Sequence, residues 1–137
     1  MRILGIDYGD SRIGLAQSDS LGIIASGLGA VANKSMRNSI DEIATIAKIN
    51  EVSKIIIGLP LNMDGTEGDR ANKTKAFGKN LEKVSGVSVF YQDERMTSIS
   101  ATRAMDDMGI KKHKQQAQID TKSAQIILQM YLDKTKF

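Results

Sequence analysis

Three acidic residues sit at places where carboxylates could do chemistry together. Asp7 closes the apolar run Ile3-Leu4-Gly5-Ile6, Glu94 lies just past a run ending near Gln92, and Asp120 stands at the head of a stretch rich in isoleucine and leucine. In an α/β sheet, ligands gather at the carboxyl ends of strands, so Asp7 and Glu94 can meet there if their strands run parallel, with Asp120 closing the triangle. Converging carboxylates repel one another and need cations or protons to be stable. Mg²⁺ or Mn²⁺ prefers oxygen ligands, and two such ions about 3.5–4 Å apart stabilise both the attacking and the leaving oxygen of an in-line phosphoryl displacement. The expected chemistry is metal-assisted hydrolysis of phosphodiester bonds, with water as nucleophile and no histidine base. Each acid also has an ordinary use: Asp7 beside Gly9 as a turn former, Glu94 as a surface partner of Arg95, Asp120 at a helix N-terminus. It is their joint placement, with Gly and Arg nearby, that favours a common site.

A polyanionic substrate needs cations and backbone N–H groups beside the metal. Arg12 and Arg95 are candidates, Arg95 also for stabilising the developing charge. Gly9 and Gly14 either admit a close backbone or serve turns and sheet packing. In the central stretch, Asn62, Gly65, Thr66 and Gly68 precede a helix whose N-terminus suits a phosphate, with Arg70 next in line; a plain capped loop is the alternative. Lys111, Lys112 and Lys114 form a run free of acids, suited to a nucleic-acid backbone or to a solvated loop.

Composition narrows the options. A chain of 137 residues is long enough for one buried core, so one domain spanning 1–137 is expected. With 41% hydrophobic and 26% charged residues it falls in the globular range, which excludes disordered and fibrous classes. The absence of cysteine excludes disulfides and thiolate sites, and the single His113 cannot form a histidine cluster, so any metal must be held by oxygen. The net charge of +3 is too small to identify a partner. Asp7 interrupts the N-terminal apolar stretch before it resembles a secretory segment, and no run approaches membrane-spanning length; cytoplasmic residence is expected.

The elements that would position these residues follow from hydrophobic periodicity. Ile3 to Asp7 and Ile13 to Gln17 read as a β-hairpin, and Ile23 to Val31 as a third strand weakened by Gly27 and Gly29. Apolar residues from Ile40 to Ile49 mark a helix, with Ser39 and Glu42 as a capping box or a start as early as Ser35. Lys54 to Leu59 is apolar enough for a central strand. Ala76, Phe77, Leu81 and Val84 mark a second helix, and Val87, Val89 and Tyr91 a further strand. Thr97 caps a helix buried through Ala101, Ala104, Met105 and Met108 and stopped by Gly109, and a last helix follows Asp120. The order predicts an α/β layer fold whose first strands pair antiparallel and whose later ones, returning through helices, run parallel.

With these segments in order, the chain resembles the YqgF family of bacterial nucleases and Holliday-junction-resolvase-like proteins. Gly5-Ile6-Asp7-Tyr8-Gly9 with Arg12-Ile13-Gly14-Leu15-Ala16 is similar to its opening signature, Gly58 to Gly65 to its central loop, Asp93 to Ser98 to its glutamate motif, and Asp120 with Ala124 and Gln125 to Leu128 to its C-terminal motif. Ser123 departs from the alanine usual there. The resemblance implies a ribonuclease-H-like fold with a five-stranded mixed sheet flanked by helices. It also implies metal-binding roles for Asp7, Glu94 and Asp120, and maturation of precursor 16S ribosomal RNA, with a ribosomal particle as a possible partner. Branched DNA is the alternative substrate and a non-cutting nucleic-acid-binding module the alternative role. The Gly-x-Asp-x-Gly opening is also similar to that of the actin and sugar-kinase superfamily, whose two related domains this length does not accommodate.

Overall fold

The computed structural model describes residues 1–95, 97 and 116–135. The expected helix body after Thr97 and the cations Lys111, Lys112 and Lys114 lie outside the described residues. Strands β1 (Arg2–Tyr8) and β2 (Arg12–Ser18) form the expected hairpin, and β3 (Ala25–Ala32) pairs antiparallel with β2. Helix α1 (Met36–Ile49) leads to β4 (Val52–Leu59), parallel to β1, and α2 (Asp69–Ser85) leads to β5 (Val89–Asp93), parallel to β4. The described chain ends in α3 (Gln116–Lys134). The result is a five-stranded mixed sheet in the order β3-β2-β1-β4-β5.

Strand alternation sorts the side chains into two cores. Leu4, Ile6, Ile13, Leu15, Ile55 and Ile57 face α1 and α2, where Ile40, Ile43, Phe77 and Leu81 meet them. On the opposite face Ala16 and Ile56 meet Ala124, Ile127, Leu128 and Leu132 of α3. The Ile-rich β4 is therefore buried on both faces, which explains its continuous rather than alternating apolar pattern. Among the described residues no helix is long and apolar enough to cross a membrane.

Several boundaries differ from expectation for physical reasons. Ser35 is the N-cap of α1, its hydroxyl accepting from Asn38 N at 3.1 Å, while Ser39 is buried inside the first turn and donates to the Ser35 and Met36 carbonyls. In α2, Ala76 and Val84 face solvent, leaving Phe77 and Leu81 as buried anchors. Ile23 and Ile24 are exposed in a bend ahead of β3, whose glycines lie inside the strand. Finally, Asp120 is not at the start of the last helix: α3 begins at Gln116, so Asp120 lies in the helix body and the helix-terminus alternative lapses.

Candidate functional site

Asp7 is the penultimate residue of β1 and is 8% exposed. A Cβ at Gly5, two residues earlier on the same face, would stand 2.6 Å from Leu128 Cβ, so alternation directs Asp7 to the α3 side of the sheet. Its neighbours across the sheet are glycines. On β2 it pairs with Gly14; on β4 the register Ile6↔Ile57, continued one step, sets it beside Gly58. A Cβ at Gly14 would run into the main-chain carbonyl of Asp120, and one at Gly58 would meet Ile127 Cδ1 and lie 2.5 Å from Glu94 Oε2. The missing side chains on both sides of Asp7 thus let Asp120's helical turn and Glu94's carboxylate approach the same strand end. Gly58 was not among the site residues expected from sequence; a glycine closing an Ile-rich strand was the available signal.

Glu94 is 1% exposed because the chain turns sharply after β5. Asp93 Oδ1 accepts from Arg95 N at 2.9 Å, forming an Asx turn, and Thr97 Oγ1 donates to the Glu94 carbonyl at 2.6 Å. The turn sends Asp93 and Arg95 outward, where Nε and Nη2 of Arg95 both reach Asp93, and sends Glu94 inward. The expected surface alternative, Glu94 pairing with Arg95, is therefore replaced by an Asp93–Arg95 pair. The same guanidinium, through its hydrogen bonds, holds the Asp93 carboxyl below its ordinary range, and Asp93 in turn raises Arg95. One further atom draws notice. Gln92, paired with Gly58, is 8% exposed and bends forward so that Nε2 donates to the Asp93 carbonyl at 3.2 Å, leaving Oε1 buried without a hydrogen-bond partner among the described residues.

The central loop is built around its own polar groups. Asn62 N donates to the Thr66 carbonyl, Asn62 Nδ2 to Thr66 Oγ1, and Thr66 N and Oγ1 both to Asp64 Oδ1 at 2.9 and 2.6 Å. Gly65 has φ +89°, and a Cβ there would lie 3.0 Å from Arg95 Nη1, which donates to the Met63 carbonyl. Asn62, Thr66 and Arg95, expected to touch substrate, are thus engaged in shaping this loop and fastening it to the Glu94 turn. The hydroxyl and amide of Thr66 hold the Asp64 carboxyl below its ordinary value. A carboxyl with a lowered folded pKa stabilises the fold above its unfolded value, and that contribution disappears as pH falls through the folded one. We expect an NMR titration of Asp64 to show a midpoint below the ordinary value of about 3.9, with Thr66 amide protection against exchange lost in the same acid step. Thr66→Ala should return the midpoint toward normal.

The other expected contacts are distributed around the same end of the sheet. Arg12 is exposed at the start of β2, and Arg70 lies in the first turn of α2 beyond the Gly68 N-cap, which has no side-chain cap. Gly9 makes a tight turn: a Cβ would lie 2.5 Å from the Arg12 carbonyl, and Gly9's own carbonyl accepts from Asn33 Nδ2 at 2.8 Å. That is the turn reading of Gly9. Among the described residues no group of three or more acidic, histidine or cysteine side chains is arranged to hold a metal ion. The register brings Asp7, Glu94 and the Asp120 turn to one strand end, without a closed set of ligands.

A family model described as RuvX, Holliday junction resolvase, matches residues 1–134. The chain belongs to the RuvX family. Its relatives include a protein of Ruminiclostridium cellulolyticum, 44% identical over 135 residues that cover 98% of this chain and 95% of that one. Another, from Syntrophus aciditrophicus, is 42% identical over 133 residues, covering 97% and 89%. Both carry the name "Putative pre-16S rRNA nuclease". Among solved structures, Thermus thermophilus RuvC bound to a Holliday junction substrate superposes with a TM-score of 0.59 at 13% identity, covering 96% of this chain and 93% of that one. The fowlpox virus Holliday junction resolvase gives 0.55 at 15%, covering 98% and 99%. The fold is the expected ribonuclease-H-like one.

Proposed function

We propose that this RuvX protein is a divalent-metal-dependent nuclease that hydrolyses phosphodiester bonds in the cytoplasm, with precursor 16S ribosomal RNA as its substrate. The observation that carries the reading is the pair of nearly buried carboxylates, Asp7 and Glu94, at adjoining strand ends around Gly58. Burying two carboxylates at one strand end carries a desolvation cost that a bound cation offsets. The donor set fits a hard cation: it is all oxygen, and Gln92 Oε1, buried without a partner among the described residues, suits the water that Mg²⁺ tends to retain.

Asp7 and Glu94 would hold Mg²⁺ or Mn²⁺, with Asp120 as the third carboxylate. When bound, the ion would supply positive charge that activates water and offsets the charge building up on the phosphoryl oxygens. The protein's own part is to hold the acids at one strand end and align the substrate. We assign Arg12, Arg70 and Gly65 to the substrate path, together with Lys111, Lys112 and Lys114, with Gly9 shaping the turn that presents Arg12. Asn62, Thr66 and Arg95 serve that path by holding its loop in place, and the assembled ribosomal particle is a candidate partner.

A second reading, cleavage of branched DNA, is favoured by the description of the family model. Both are tested by a Mg²⁺/Mn²⁺ cleavage panel comparing precursor 16S ribosomal RNA with a four-way DNA junction, with Asp7→Asn alongside. Metal-dependent cutting of the RNA, lost in Asp7→Asn, is the expected result. Preference for the junction would select the second reading, and wild-type cleavage by Asp7→Asn with contaminants excluded would remove Asp7 from the site.

A further inference from the structure

Asp120 lies in the body of α3, one turn before Ala124, which packs into the core beneath that helix. The next residue ties the turn carrying it to the sheet. Thr121 Oγ1 accepts from Gly29 N at 3.0 Å and donates to the Leu15 carbonyl at 2.8 Å, bonding to β3 and β2 at once. It does so where their register shifts: Leu15 pairs with Gly29 but Ala16 pairs with Gly27, so Leu28 is an extra residue on β3. Such a bulge takes backbone groups out of the ladder, and here a side chain from across the face satisfies them.

The glycines complete the socket. Gly29 has φ +101°, a conformation that side chains other than glycine adopt at a cost, and a Cβ at Gly27 would lie 2.9 Å from Thr121 Oγ1. One residue back, the Asp120 carbonyl fills the space over Gly14, the partner of Asp7. A helical turn pinned at both points cannot slide or rotate without breaking two hydrogen bonds or striking β2.

We infer that Thr121 is a positioning residue, keyed into the β2–β3 bulge so that Asp120 is presented beside Asp7. The inference rests on the reading that these acids bind a metal. Partners that orient metal ligands typically contribute about 10–100-fold to affinity or activity. Thr121→Val keeps the shape and removes both hydrogen bonds, whereas Thr121→Ser keeps the hydroxyl.

The experiment measures Mn²⁺ binding by electron paramagnetic resonance, together with kcat and KM, for wild type, both variants and Asp120→Asn. Thr121→Val should bind Mn²⁺ about tenfold more weakly and lose kcat rather than KM, with Thr121→Ser restoring both. A Thr121→Val protein that melts earlier yet binds Mn²⁺ like wild type would overturn the inference. Should that variant fail to fold, Gly27→Ala, which presses on the same hydroxyl, decides: weakened Mn²⁺ binding supports the inference and unchanged binding overturns it. If Asp120→Asn binds Mn²⁺ as wild type does, the metal role of Asp120 itself fails and takes this inference with it; a defect in Asp120→Asn with none in Thr121→Val leaves that role standing and removes only Thr121.

Discussion

Glu94→Gln should abolish metal-dependent cleavage while leaving the chain folded. Glutamine matches glutamate in size and fits the space over Gly58 that the glutamate occupies. What disappears is the negative charge. Losing about 4 kcal/mol of transition-state stabilisation corresponds to a roughly thousandfold fall in rate, a fall of at least that order is expected, and Glu42→Gln on the exposed side of α1 serves as the control.

A binding measurement separates this from a general loss of structure. A ligand present at 100 times its dissociation constant stabilises the folded state by about 2.7 kcal/mol, a rise of several degrees in Tm. Wild type should show that rise on adding Mn²⁺, and Glu94→Gln should show little or none. Equal rises in both proteins would mean that the ion binds elsewhere, and Glu94 would lose its assigned role even if cleavage fell.

How far the sequence reveals this arrangement depends on the range of the interactions involved. The strands and their pairing sense are legible because alternation and the unbroken apolar run of β4 are local consequences of where each face is buried. Asp7 and Glu94 stand out for the related reason that each is an acid placed at the end of an apolar run. Local pattern fails where two neighbours compete for one role: Ser35 and Ser39 both suit a cap, and only the path of the chain out of β3 selects Ser35. It also fails where a residue's partner is distant in sequence. Gly27 and Gly29 weaken β3 when read alone, yet they form the socket for Thr121, and the outward Asp93–Arg95 pair that turns Glu94 inward also reaches a loop some thirty residues earlier. Within that loop, Asn62 and Thr66 have the polar groups expected of ligand-binding residues but direct them at one another.

Gly14→Ala should damage stability and cleavage together, and the geometry explains why one methyl group has both effects. In an ordinary strand this substitution would stabilise modestly, by roughly 0.5–1 kcal/mol, because alanine has less backbone freedom to lose on folding. At Gly14 the new Cβ meets the carbonyl oxygen and carbon of Asp120 and lies 3.1 Å from Thr121 N. All three are main-chain atoms of a helix, so no side-chain rotation relieves the contact and the turn itself must move outward. Overpacking of this kind costs about 1–3 kcal/mol or more, which outweighs the backbone gain. The displaced turn is the one that carries Asp120, and misplacing a catalytic group by about 1 Å can lower a rate roughly a hundredfold. Gly22→Ala provides the contrast, since φ of +70° makes alanine strained there while, among the described residues beyond its chain neighbours, no atom lies within 4 Å of the new methyl. That variant should melt earlier and cleave normally when assayed well below its Tm. If Gly14→Ala behaves in the same way, the close approach of α3 to β2 has no bearing on catalysis, and the site must be sought around Asp7 and Glu94 without Asp120.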